Sequence, residues 1–280
     1  AGFDKDAVAP RALFRLGFGF VEVGTVTPQP QPGNPYPRVF RLPADGGVIN
    51  RLGFNNAGHA AAERRLAAVR AAGPLPGPLG VNVGANKDSD DRIADYAAGV
   101  RRFAPLADYL TINISSPNTP GLRALQSRTA LARLLEATAD ARTATSPAPL
   151  LLLKLAPDLT EADCDDIAGA VEQAGLDGLI VSNTTLDRPP TLRSRHRTEA
   201  GGLSGRPLFD RSTAVLGDFH KRLEGQLPLV GVGGIDGAEA VRAKLAAGAS
   251  LVQLYTALVY QGPGLVRRLN EGLAAGPALR

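Results

Sequence analysis

The chain has 280 residues, 44% hydrophobic and 21% charged, with 31 Lys and Arg against 27 Asp and Glu for a formal net charge of +4. That balance belongs to a globular protein with an ample core. No apolar run approaches the roughly 18 residues that a membrane-crossing helix needs, and the scattered, Arg-dominated positive charge reads as solvated helix faces rather than a nucleic-acid surface.

In chain order, strand-like and helix-like segments alternate. Ala1–Asp4 is expected as the end of a first strand. Asp6–Leu16 is amphipathic, with Val8, Leu13, Phe14 and Leu16 on one side, and Gly17 stops it. Phe20–Val26 is a second strand, followed by a Pro-rich, extended loop from Thr27 to Pro37. Arg38–Leu42 and Gly47–Asn50 read as a small antiparallel excursion. Asn55–Ala72 is a helix. The rhythm then becomes regular: strands at Leu79–Val83, Asp108–Ile114, Leu150–Leu155, Gly178–Ser182, Pro228–Val232 and Ser250–Tyr255. Helices follow them at Asp90–Phe103, Arg128–Ala144, Thr160–Ala174, Pro207–Leu223, Gly237–Ala247 and Gly262–Leu273. Thr160 and Asp163 have the spacing of a capping box. The one cysteine, Cys164, forms neither an internal disulfide nor a metal cluster. It lies in an acidic helical segment whose carboxylates disfavour a thiolate, so it is assigned no catalytic role.

The strands are continuous apolar runs, as expected where both faces are buried. Eight strand–helix units at this length favour an α/β fold of the (β/α)8 TIM-barrel type over an open doubly wound sheet. One domain is expected, residues 1–280, with a small β insertion after strand two. Met is absent and the chain opens at Ala1, so the natural N-terminus is expected upstream, with an N-terminal part of the protein not present in the chain.

Such barrels carry their chemistry at the strand C-termini. Gly205, Gly233, Gly234, Tyr255 and Thr256 fall in the late loops where barrels commonly bind phosphate, although a lone Gly-x-Gly-Gly also fits an ordinary tight turn. Asn50, Asn82, Asn113, Asn118 and Asn183 stand at five strand ends. One Asn is usually a turn residue, but five on one face suit a planar heterocycle whose edge alternates donors and acceptors. Lys154 follows four leucines; it either faces an anion or electron-rich ring, or snorkels to the rim. The stretch Asn113–Thr119 ends a buried strand in hydroxyls and carboxamides, and offers Ser116 as a base with no histidine beside it.

Ala1–Lys5, Asn50–Phe54, Asn113–Thr119, Ser182–Thr185, Gly202–Gly205, Gly231–Gly234 and Leu254–Ala257 together resemble the dihydroorotate dehydrogenase family along the whole chain. The resemblance is to the quinone-dependent class 2, because class 1 members carry a cysteine where this chain has Ser116. It implies an FMN flavoprotein of pyrimidine biosynthesis that oxidises (S)-dihydroorotate to orotate and reduces a quinone. It implies Ser116 as the base for the C5 proton, hydride transfer from C6 to flavin N5, and Thr119 and Phe54 flanking a proton-carrying water. Lys5, Asn50, Arg51, Leu52, Gly53, Phe54, Asn113, Asn118, Asn183 and Thr184 would bind substrate. Ala1, Gly2, Thr25, Asn50, Asn82, Asn113, Lys154, Ser182, Ser204, Gly205, Gly233, Gly234, Tyr255 and Thr256 would bind the cofactor, with Gly24 beside them. Lys154 would stabilise the anionic reduced flavin. Ser116 to about Ser127 would form a lid hinged at Gly121. No metal and no nucleic acid is implied. N-terminal helices preceding Ala1 would attach the protein peripherally to a membrane: the cytoplasmic face of the cell membrane in a bacterium, the inner mitochondrial membrane in a eukaryote.

Two kinds of rival remain at this level. Another flavin barrel, a class 1 enzyme or a dihydropyrimidine dehydrogenase domain, would be expected to use a cysteine base and often iron–sulfur partners. A phosphate-binding barrel without redox chemistry would share the glycines alone.

Overall fold

The computed structural model describes residues 2–119, 121, 122, 125, 127–143 and 145–276. Seven parallel strands form one curled sheet: β1 (Val21–Val26), β4 (Leu79–Val83), β5 (Tyr109–Asn113), β6 (Leu150–Leu155), β7 (Gly178–Val181), β9 (Leu229–Val232) and β10 (Leu251–Gln253). Each pairs with the next in that order. The helices between them cover the outside: α2 (His59–Ala71), α3 (Arg92–Phe103), α4 (Arg128–Arg142), α5 (Glu161–Ala174), α6 (Phe209–Arg222) and α7 (Ala238–Ala246). This is the expected barrel-type α/β fold.

The apolar runs explain the strands. Every residue of β1, β4 and β5 is buried, and Leu151, Leu153, Leu155 and Leu179 join the Leu and Val side chains of the neighbouring strands in one core with the inner faces of α3, α4 and α5. Truncating one of these buried leucines, such as Leu134 on α4, would cost roughly 2–5 kcal/mol. At α5 the Thr160 hydroxyl accepts the Asp163 N–H while the Asp163 carboxylate accepts the Thr160 N–H, which completes the expected capping box.

Four departures from the sequence reading have physical causes. Residues 2–4 form no full strand, but Gly2 N–H donates to Gly24 O at 2.6 Å and Gly24 N–H to Asp4 O at 2.8 Å, so the segment lies along the β1 edge. The first helix is shorter than expected: α1 spans Pro10–Arg15, because the Asp4 carboxylate accepts the Val8 and Ala9 N–H groups at 2.9 Å and Pro10 begins the helix. The expected excursion is real, with β2 (Val39–Leu42) antiparallel to β3 (Gly47–Asn50), but it gains a third strand, β8 (Gly202–Gly205), from a stretch that reads as loop. Four residues with two glycines carry no periodicity; pairing with β3 makes the strand. The last departure is α8 (Thr256–Gln261), a short helix before α9 (Gly264–Ala274) in a stretch to which the sequence reading assigns no element.

Candidate active site

The strand C-termini and the β2–β3–β8 sheet enclose two adjoining cavities. The smaller, of about 110 Å³, is lined by Gly2, Lys5, Thr25, Gly53, Phe54, Asn113, Ser116, Pro117 and Asn118. The larger, of about 510 Å³, is lined among others by Ser182, Ser204, Gly205, Gly233, Gly234 and Thr256. Asn50, Leu52, Lys154, Asn183, Thr184 and Tyr255 line both. The residues expected around substrate, Arg51 excepted, thus gather in one cavity and most of those expected around cofactor in the other.

One carboxylate orients the carboxamides of the small cavity. Glu22, buried on β1, accepts from Asn82 Nδ2 at 3.0 Å, Thr111 Oγ1 at 2.8 Å and Gln253 Nε2 at 3.2 Å. A carboxylate only accepts, so Asn82 must turn its NH2 toward Glu22 and its oxygen away. That oxygen takes bonds from Thr25 Oγ1 at 2.5 Å and Asn113 Nδ2 at 3.1 Å. The Asn113 oxygen therefore points onward, to Ser115 Oγ at 3.0 Å and Asn183 Nδ2 at 3.4 Å. Asn183 closes the series by accepting the Thr184 N–H at 2.8 Å. Below, the buried Tyr96 hydroxyl donates to Asn113 O at 2.7 Å, and burial raises that phenol far above its usual pKa.

The loops that cap the cavity are tied down by residues that sequence reasoning missed. Gly53 and Phe54 both take positive φ, 70° and 53°, a costly conformation for Phe that turns its ring into the cavity. Gln31 Nε2 donates to both carbonyls at 3.1 Å, and Asn56 Nδ2 to Phe54 O at 2.7 Å. Asn34 Nδ2 bridges Arg51 O at 3.0 Å and Asn118 O at 3.2 Å, joining the Pro-rich loop to the Ser116 turn. Glu22 had the clearest signal: an acid between Val21 and Val23 in a buried strand is as anomalous as Lys154. Gln31 and Asn34 had none, since each reads as loop polarity, and Asn56 reads as the start of a helix that begins only at His59.

Ser116 is buried, and its Oγ accepts the Asn118 N–H at 3.3 Å. Asn118 Nδ2 reaches Asn50 Oδ1 at 3.4 Å. Lys154, beside Asn113 in the β5–β6 register, is buried and faces both cavities, so it does not snorkel. Burial pushes its ammonium pKa down while the Glu22 carboxylate pulls it up. Burial lowers Lys5 to about 8, against the raising effect of Asp6 and with a smaller lowering by Arg38.

At the other end the backbone does the work. Gly233 and Gly234 have φ of 111° and 77°; a Cβ on Gly234 would lie 2.6 Å from Phe209 Cα. Neither glycine N–H has a hydrogen-bond partner among the described residues, so both are available to an anion. Thr256 Oγ1 donates to Ser204 Oγ at 2.9 Å, which donates to Val48 O at 3.0 Å, fixing the rim. The donor set fits a phosphorylated planar ring system.

A few expected residues stand elsewhere. Asn82 and Gly24 lie beneath the cavity walls, and Thr119 is buried behind the Ser116 turn. The Arg51 side chain faces outward, paired with Glu199 at 3.0 Å and stacked 4.5 Å from the Phe40 ring centroid, so it is not brought to the substrate end. Ala1 falls outside the described residues, as do four positions of the expected lid. Cys164 is buried on α5; burial first, then Asp218 and to a smaller extent its neighbour Asp163, against a lowering by Arg222, push its thiol up to about 11.

Fold and site together define an α/β-barrel enzyme that pairs a carboxamide-lined pocket with a phosphate-type turn. A family model described as dihydroorotate dehydrogenase matches residues 1–276, and the chain belongs to that family. Dihydroorotate dehydrogenase (quinone) of Mesorhizobium japonicum is 58% identical over 274 residues, covering 98% of this chain and 76% of that protein. The protein of the same name from Parvibaculum lavamentivorans is 59% identical over 275 residues, covering 98% and 77%. Among solved structures, ligand-free DHODH from Eimeria tenella superposes with a TM-score of 0.94 at 45% identity, covering 98% of this chain and 81% of that one. The form of that enzyme in complex with ferulenol gives 0.92 at 46%, covering 97% and 78%. The resemblance to the quinone-dependent class is borne out.

Proposed function

We propose that residues 1–280 act as one catalytic domain that oxidises (S)-dihydroorotate to orotate in pyrimidine biosynthesis and passes the electrons to a quinone. The names of relatives at 58% and 59% identity support this reading. The observation that carries it is the junction: Ser116 and the oriented carboxamides line one cavity, the glycine turn lines the other, and Lys154, Asn50 and Asn183 face both.

The family is flavin-dependent. FMN is the form we assign, because the Gly233–Gly234 turn suits a phosphomonoester and a cavity of about 510 Å³ suits its ring. Thr25, Asn50, Asn82, Asn113 and Lys154 would hold the ring side, and Ser182, Ser204, Gly205, Gly233, Gly234, Tyr255 and Thr256 the remainder, with the Gly2 backbone at the edge. Bound there, FMN would supply the acceptor for the hydride that the substrate loses from C6.

The chain's own residues then do the following. Lys5 pairs with the substrate carboxylate. Asn113 and Asn183 meet the ring amides in directions set from Glu22, and Asn50, Asn118 and Thr184 complete the contacts. Ser116 takes the C5 proton, so that loss of proton and hydride leaves the C5–C6 double bond. A serine is a weak base, and the Phe54 ring helps by keeping bulk water out of the small cavity. Thr119 and the Phe54 ring would flank the water that carries the proton away. Lys154 supplies positive charge at the junction, where negative charge develops.

Val39, Val48 and Val259 with Arg41 also line the larger cavity, which suits an apolar acceptor with a polar head. A quinone dissolves in lipid, so we propose peripheral attachment to a membrane; no helix among the described residues is long and apolar enough to cross one. The test is direct. The purified chain should be yellow, release FMN on denaturation, bleach anaerobically with dihydroorotate and reoxidise with a quinone but not with fumarate or NAD. A colourless protein that FMN does not reconstitute would sink the reading.

A further inference from the structure

A second buried lysine lies outside the machinery just described. Lys244, on α7, is fully buried, and its side-chain hydrogen bond among the described residues goes to a serine, not a carboxylate. Its Nζ donates to Ser212 Oγ at 2.6 Å and sits 5.2 Å from the Phe209 ring centroid. An ammonium has donors only, so Ser212 must accept from it and aim its own proton outward. Two carbonyls are in reach of that proton, Phe209 O at 3.1 Å and Gly233 O at 3.2 Å. Gly233 is also packed directly on this serine, since a Cβ there would lie 2.7 Å from Ser212 Oγ.

We infer that Lys244 is a positioning residue for the phosphate end, acting through Ser212 to hold and polarise the Gly233–Gly234 peptide. The inference rests on the reading of that turn as the site of the cofactor phosphate. The Gly233 carbonyl and the Gly234 N–H belong to one peptide. A charge-assisted bond at the carbonyl makes the N–H a stronger donor, because hydrogen bonds in series reinforce one another in a low-dielectric interior. The buried cation also adds its field from behind the turn. A lone buried ammonium is expensive, and the face of an aromatic ring offsets only part of the cost. Burial brings Lys244 down to about 7, against the raising effect of Asp210; a phosphate in front of the turn would restore its charge. A lysine that merely tied α6 to α7 would stabilise the barrel without distinguishing phosphorylated from unphosphorylated ligands.

That distinction is the test. The full chain is loaded with FMN or with riboflavin, the same ring without the phosphate, and each Kd is read from flavin fluorescence on dilution. Lys244→Met should weaken FMN by about tenfold and leave riboflavin within about twofold. Ser212→Ala, a milder change that keeps the lysine, should weaken FMN selectively in the same sense. Equal loss of both flavins, or loss of neither, in a folded variant overturns the inference. Should Lys244→Met not fold, Ser212→Ala alone decides by the same criterion. A wild-type chain that binds riboflavin as tightly as FMN would instead remove the phosphate reading itself, and the inference with it.

Discussion

The two ends of the site solve recognition differently. The substrate end is built from side chains whose directions are dictated in series, from Glu22 through Asn82 and Asn113 to Asn183. The phosphate end is built from backbone, on glycines whose φ and close packing exclude any side chain. Side-chain recognition reads the pattern of donors and acceptors on a ring; backbone recognition reads charge and shape. The first should fail gradually and selectively when altered, the second abruptly.

That contrast can be broken in four places. The largest effect is expected at the backbone end. Gly234→Val should reduce FMN affinity by about a hundredfold, because the side chain meets the Phe209 backbone at a φ of 77°; retained flavin in the purified variant would contradict the turn assignment. Next, Lys5→Met should raise the KM for dihydroorotate by about 30-fold, the loss of one charge-assisted contact. The charged ammonium binds the carboxylate, and burial lowers Lys5 to about 8, so wild-type orotate affinity should fall as pH rises through that value. The variant's affinity should lack that step, as isothermal titration across pH will show. A smaller effect is expected from Glu22→Gln, which frees Asn82 to turn: orotate affinity should drop by about tenfold, and an unchanged Kd would break the orientation argument. The smallest lies outside the site. Thr160→Ala removes a helix cap and should cost about 1 kcal/mol in urea unfolding with orotate affinity unaltered.

The same contrast governs how far the sequence could be read. Leu79–Val83 and Leu150–Leu155 emerge with their expected boundaries, because a fully buried strand has to be a continuous apolar run. The glycine turn was legible for a related reason, since a backbone site needs glycine at the end of a particular strand. Strand β8 was not legible: Gly202–Gly205 becomes a strand only by pairing with Gly47–Asn50. Glu22 stood out as an acid in a buried strand, but its partners did not, because Asn82, Thr111 and Gln253 are distant from it in sequence and meet it only in the fold. Arg51 shows the limit of motif transfer. It adjoins Asn50, which faces the cavities, but successive side chains alternate along an extended chain, and Arg51 points the other way to Glu199.

The central claim is that the small cavity holds a proton acceptor and the large one a hydride acceptor, with Ser116 as the base. Ser116→Ala, flavin-loaded and mixed anaerobically with dihydroorotate in a stopped-flow instrument, tests it most directly. Orotate binding should stay close to wild type and flavin reduction should slow by about a thousandfold; reduction at a near wild-type rate would contradict Ser116 as the base.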